Sequence, residues 1–94
     1  MTQTSNAVTD NTDLHRFELV EQGETAFADY RLSGDTLILP HVEAPSALRG
    51  TGAAGRLMDG VVAHARERRL KLRPVCSYAV AWIRRHPEAN DLLA

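Results

Sequence analysis

Residues 49–55 read Arg49-Gly50-Thr51-Gly52-Ala53-Ala54-Gly55. The stretch follows a predicted strand, Thr36 to about Glu43, centred on Leu37-Ile38-Leu39. It opens a helix predicted from about Ala53 to Arg69, where Ala54, Leu57, Met58, Val61, Val62 and Ala65 form one apolar stripe. Small residues let backbone N–H groups come close to a ligand. The first N–H groups of a helix have no internal partner, and with the helix dipole they suit phosphate or pyrophosphate. Arg49 adds a charge-assisted donor. A tight strand-to-helix turn needs the same small residues, so the glycines alone leave both readings open. The Gly-Lys-Ser/Thr ending of a Walker A loop is missing, and Rossmann spacing is absent.

Upstream, His15, Phe17 and Leu19 alternate with Arg16 and Glu18, which predicts a half-buried strand over Leu14 to Val20. Glu21-Gln22-Gly23-Glu24 reads as a turn, and a second strand runs from about Thr25 to Leu32. Ser33-Gly34-Asp35 turns the chain into the third strand. Short turns imply an antiparallel meander. Pro40 lacks an N–H, so the third strand is expected to bend, bulge or leave its neighbour there.

Downstream, Leu70 to Val75 reads as a fourth strand and Ser77 to Arg85 as a short helix, stopped by His86-Pro87. Ala79, Val80, Trp82 and Ile83 are its buried candidates. The order is that of an α+β domain, an antiparallel meander followed by helix, strand and helix, with the long helix crossing between strands three and four.

The 94 residues suit one domain, with 44% hydrophobic and 24% charged residues. Residues 1–11 are polar and read as a disordered tail, leaving 12–94 as a single domain. No apolar run approaches the ~18 residues of a membrane span, and no secretory signal opens the sequence. The one cysteine, Cys76, excludes an intramolecular disulfide and fits a reducing cytoplasm. Asp29, Asp35, Asp59 and Glu67 form no metal-ligand cluster, so no metal is expected. Net charge is −6 over residues 1–43 and +5 over residues 44–94. A basic second half could meet nucleic acid, but few aromatics lie among its arginines and the acidic first half opposes approach.

Arg49-x-x-Gly52-x-Ala54 resembles the acyl-CoA signature, Gln/Arg-x-x-Gly-x-Gly/Ala, of the GNAT N-acetyltransferase superfamily. More narrowly, the chain is similar to the small single-domain GNAT-like family called YjdJ-type. Arg16-Phe17-Glu18-Leu19, His41 to Pro45, Pro74 to Tyr78 and Arg85-His86-Pro87 match that family's motifs in order and spacing, and the resemblance covers about Leu14 to Leu92. It implies a minimal GNAT fold that binds acetyl-CoA or CoA and transfers acetyl to an amine. In that fold the strand before the signature splays from the next one. The resemblance assigns pantetheine contacts to the backbone of Val42, Glu43 and Ala44, and the pyrophosphate to the amides of Gly50, Thr51, Gly52, Ala53, Ala54 and Gly55. Pro40 and Pro74 fit such a splay, since each removes a ladder donor.

Three side chains are candidates for the transfer chemistry. Cys76 is expected beside a helix N-terminus, which favours thiolate and nucleophilic attack, although a lone cysteine is commonly a small buried hydrophobe. His41, at the other wall of the wedge, suits a general base, or a strand histidine bonded to a carbonyl. Tyr78 occupies the helix where many GNAT enzymes place a tyrosine that protonates the leaving thiolate; a packing aromatic is the alternative. Larger GNAT enzymes carry helices between the first two strands to shape the acceptor site, whereas here four residues separate Val20 from Thr25. The missing wall suits a protein or peptide amine. The competing reading is a CoA-binding sensor or interaction module without turnover. Monomer and homodimer fit the sequence equally.

Overall fold

The computed structural model describes residues 7–94. Five strands form one sheet in sequence order: β1 (Thr9–Asn11), β2 (Arg16–Glu21), β3 (Glu24–Ser33), β4 (Thr36–Glu43) and β5 (Lys71–Pro74). The first four are antiparallel, and β5 joins β4 in parallel across the helix α1 (Ala53–Arg68). A short helix α2 (Ser77–Arg84) and a 3₁₀ segment, Pro87–Leu92, complete the domain. Meander, crossover and helix order agree with the sequence reading.

Alternation decides which sheet face is covered. Phe17, Leu19, Ala26, Ala28, Tyr30, Leu37, Leu39 and Leu72 are buried, while Arg16, Glu18, Phe27 and Asp29 between them are not. The buried set meets Leu57, Met58, Val61 and Ala65 of α1 and Ala79, Trp82 and Ile83 of α2 in one core. Burying a Leu or Phe side chain is worth roughly 1.5–3 kcal/mol. A one-residue slip would turn the whole set outward, so the covered face pins the register.

The tail assignment for residues 1–11 is corrected at its C-terminal end. Thr9–Asn11 pair with β2, and Val8 is buried. Residues 1–6 of that expected tail lie outside the described residues. The strap has no apolar alternation to announce it; distant polar contacts hold it. Asp10 accepts from Arg68 at 2.8 Å and from the Tyr30 hydroxyl at 2.7 Å, and His64 Nε2 donates to the Val8 carbonyl at 2.7 Å. The first predicted strand also starts later. His15 has φ 54° and is exposed, so the alternation begins at Arg16.

Pro40 disturbs β4 as its chemistry requires. Asp29 pairs with His41 but Arg31 with Ile38, so β4 carries one extra residue at Leu39–Pro40, a β-bulge. On its other edge β4 leaves β5 at the same place. The parallel register ends at Leu39 opposite Pro74, and the Leu39 carbonyl accepts the last two bonds, from Val75 N at 3.1 Å and Cys76 N at 3.3 Å. Beyond it, Pro40–Glu43 stay on β3 while the chain after Pro74 turns into α2.

Candidate functional site

The fork between β4 and β5 opens onto a cavity of about 410 Å³, lined by Val42, Ala44, Leu48, Arg49, Gly50, Gly52, Ala53, Ala54, Gly55 and Tyr78. The bulge decides which part of β4 reaches it. Asp35 and Leu39 turn their carbonyls to β5, accepting from Lys71 N and Val75 N. Unbroken alternation would place His41 next on that edge. The extra residue shifts the phase by one, so Val42 takes the place instead. Its side chain packs on the core, whereas His41 is exposed.

The loop from Pro45 to Gly52 presents amides. A 3₁₀ turn, Ser46–Leu48, buries Leu48 and delivers Arg49 to the rim. Gly50 and Gly52 have φ of 81° and 86°, a region L side chains rarely adopt, so these two positions require glycine. Gly52 is the N-cap of α1 and supplies no side-chain cap. Thr51 fills that role differently. Its hydroxyl donates to the Leu48 carbonyl at 2.6 Å and accepts from Ala53 N at 3.3 Å. Among the described residues, the amides of Gly50, Gly52, Ala54 and Gly55 have no protein acceptor. Four free donors and the Arg49 guanidinium thus surround one concavity, a cradle for an acceptor-rich anion. These groups fit the pyrophosphate and pantetheine expected from the sequence.

Arg56, in the first turn of α1, holds this loop. It is bidentate on Glu21, Nε to Oε2 and Nη2 to Oε1, both at 2.8 Å, and Nη2 also donates to the Thr51 carbonyl at 3.0 Å. The Arg56 hydrogen bonds pull the Glu21 carboxyl below the usual carboxylate range. Sequence reading missed both Arg56 and Leu48. A lone leucine ahead of Arg49 gives no signal, because its burial depends on the turn that follows Pro45.

Most of the expected cofactor residues come together. Val42, Ala44, Arg49, Gly50, Gly52, Ala53, Ala54 and Gly55 share the cavity. Glu43 and Thr51 are set apart from its lining. Glu43 lies on the open sheet face and binds His41 Nε2 at 2.8 Å, and Thr51 is spent on loop geometry.

Of the three candidates for chemistry, Tyr78 reaches the cavity. Burial, reinforced by the Asp59 charge and opposed by Arg85, raises its pKa, so the phenol is a proton donor at neutral pH. Cys76 stands at the fork as the N-cap of α2, its Sγ accepting from Ala79 N at 3.4 Å. His41 sits on the other side of β4, its ring 6.0 Å from that of Phe27. The structure thus joins Tyr78 to the cradle, places Cys76 at the fork, and pairs His41 with Glu43 rather than with Cys76. No cluster of His, Cys, Asp and Glu suited to a metal occurs among the described residues, nor does any helix there have the length and apolarity to cross a membrane.

Comparison with curated proteins found no match. The solution NMR structure of a GCN5-like protein from Staphylococcus aureus is similar in fold, with a TM-score of 0.72 at 24% identity. That match covers 97% of this chain and 91% of the other. Residues 16–92 match the sequence family described as GCN5-related N-acetyl-transferase. That span holds the forked strands, the amide-rich loop and both helices, and the chain belongs to the GCN5-related N-acetyl-transferase family.

Proposed function

We propose that this protein transfers an acetyl group from acetyl-CoA to an amine, on a protein or peptide. The observation that carries the reading is the set of unpaired amides at Gly50, Gly52, Ala54 and Gly55 around a cavity that continues into the β4–β5 fork. The loop holds the pyrophosphate, with Arg49 at the rim. Val42 and Ala44 hold the pantetheine along the unpaired edge of β4. Acetyl-CoA supplies an activated acyl group there. Tyr78, neutral at physiological pH, gives a proton to the leaving sulfur. Cys76 Sγ, at the start of α2, is the candidate nucleophile. His41, paired with Glu43 on the opposite face of β4, is given no role in the transfer.

The acceptor class follows from what does not cover the fork. Only Gln22 and Gly23 separate β2 from β3, so no element there walls off a small-molecule pocket. An open approach suits an amine on a larger chain. The lone cysteine accords with a reducing compartment such as the cytoplasm.

Mass spectrometry after incubation with acetyl-CoA tests the reading. A native adduct of CoA mass is expected, and its absence would sink the cofactor site. A covalent acetyl mass that disappears in Cys76→Ala places the chemistry on the thiol. CoA binding by the unmutated protein that survives loss of Cys76, with no acetylated peptide formed by either, identifies a CoA-binding module without turnover.

A further inference from the structure

Trp82 is the only tryptophan of the chain and is 4% exposed. Its ring stacks on His86, centroids 3.8 Å apart and planes 12° from parallel. His86 is fixed in turn, because its Nδ1 donates to the Trp82 carbonyl at 2.7 Å. The indole Nε1–H has no hydrogen-bond acceptor among the described residues. Buried tryptophans normally pair this group. Nor is it sealed off, since no fully enclosed side-chain nitrogen or oxygen among the described residues lacks a partner. The one polar atom of a buried ring therefore retains access to its surroundings.

That atom lies behind Gly55. A Cβ built on Gly55 would stand 3.8 Å from Trp82 Nε1, with no other atom within 4 Å. Gly55 lines the cavity. Its backbone is helical and a Cβ there meets only ordinary contact, so neither φ nor collision explains a glycine. Alanine is the better helix former. Trp82 itself stands behind the cavity lining, and the missing Cβ leaves open the space between its indole N–H and Gly55, which lines the cradle.

We infer that Trp82 is a further ligand-binding residue, donating its indole N–H past Gly55 to a phosphate oxygen of the group held by residues 49–55. The inference rests on the proposed phosphate-binding role of that loop. It adds a fifth neutral donor to the four free amides, from an element that the loop does not contain.

Isotope-labelled protein titrated with coenzyme A and followed by proton–nitrogen correlation spectra tests it. The sole tryptophan gives one indole cross-peak, expected to move downfield with the same midpoint as the Gly50, Gly52 and Gly55 amides. Trp82→Phe keeps an aromatic ring and removes the donor; its CoA affinity is expected to fall about tenfold, the usual loss for one hydrogen bond to a charged group. Gly55→Ala fills the space left by the missing Cβ and is expected to abolish the indole shift. An indole peak that stays fixed while the glycine amides move overturns the inference and leaves the cofactor site standing. Unchanged affinity in Trp82→Phe overturns it as well. Spectra in which no loop amide moves remove the cofactor site itself, and this donor with it. Should Trp82→Phe fail to fold, the wild-type titration decides.

Discussion

Arg56 grips both carboxylate oxygens of Glu21 at 2.8 Å while its Nη2 holds the Thr51 carbonyl at 3.0 Å. One guanidinium thus ties the amide-rich loop to the end of β2, 35 positions away in sequence. A planar fork is needed for both bonds, and lysine cannot reproduce it. Arg56→Lys is expected to keep the thermal midpoint near that of the parent while the CoA dissociation constant, read by calorimetry, rises several-fold. Equal affinity in the two proteins would mean the loop holds its shape without the clamp.

Gly52 illustrates backbone cost. At φ 86° an L side chain is strained by about 1–2 kcal/mol. Its Cβ would also stand 3.0 Å from Arg56 Nη1, so the guanidinium must shift. Gly52→Ala should therefore lose stability of that order in urea denaturation, and lose CoA binding more severely than Arg56→Lys does. A variant as stable as the parent would contradict the left-handed geometry.

Cys76 has two separable duties. As N-cap it accepts from Ala79 N, and serine is among the preferred residues for that position. Cys76→Ser is expected to match the parent in stability. Cys76→Ala should lose about 0.5–2 kcal/mol, the usual cost of removing a cap. Both should form no covalent acetyl adduct. Acetylation that persists in the serine variant at the parent rate would assign the sulfur to capping alone.

The two tyrosines titrate late. Burial, then the hydrogen bond to Asp10, pushes Tyr30 up to about 12, and burial raises Tyr78 as well. In the unfolded chain both return to about 10. Because the folded values are the higher ones, their stabilising contribution is complete below pH 10 and is lost as pH climbs from 10 to about 12. Ultraviolet titration in native buffer should show both tyrosinate steps above that of free tyrosine, and Tyr78→Phe should leave the Tyr30 step, at about pH 12, in place. The same variant is expected to lower kcat about a hundredfold with CoA affinity little changed. Tyrosinate formed at pH 10 in the folded Tyr78→Phe variant would contradict the buried Tyr30.

The middle of the fold was readable because its signals are local. Phe17 and Leu19 alternate, Gly34-Asp35 turns the chain, and Leu57, Met58 and Val61 repeat with helical period. Pro40 announced a break, and the register has one. The bulge's consequence was not readable. One extra residue exchanges His41 for Val42 on the edge facing the fork, and Glu43 follows His41 to the open face. β1 escaped notice because its support comes from Arg68 and His64, more than fifty residues away. Arg56 looked like any solvated helix charge, since its partner lies at the far end of β2. Long-range polar pairs leave no periodicity to read.

The glycines at 50 and 52, the Thr51 hydroxyl and the Arg56 clamp hold the loop in its donor-outward shape through the protein's own contacts. Binding then spends little entropy on ordering the chain. The arrival of CoA should accordingly look like a single encounter, with an observed rate that climbs linearly with concentration and shows no plateau from a slow rearrangement. Selectivity among CoA-bearing molecules would then reside in how long each one stays.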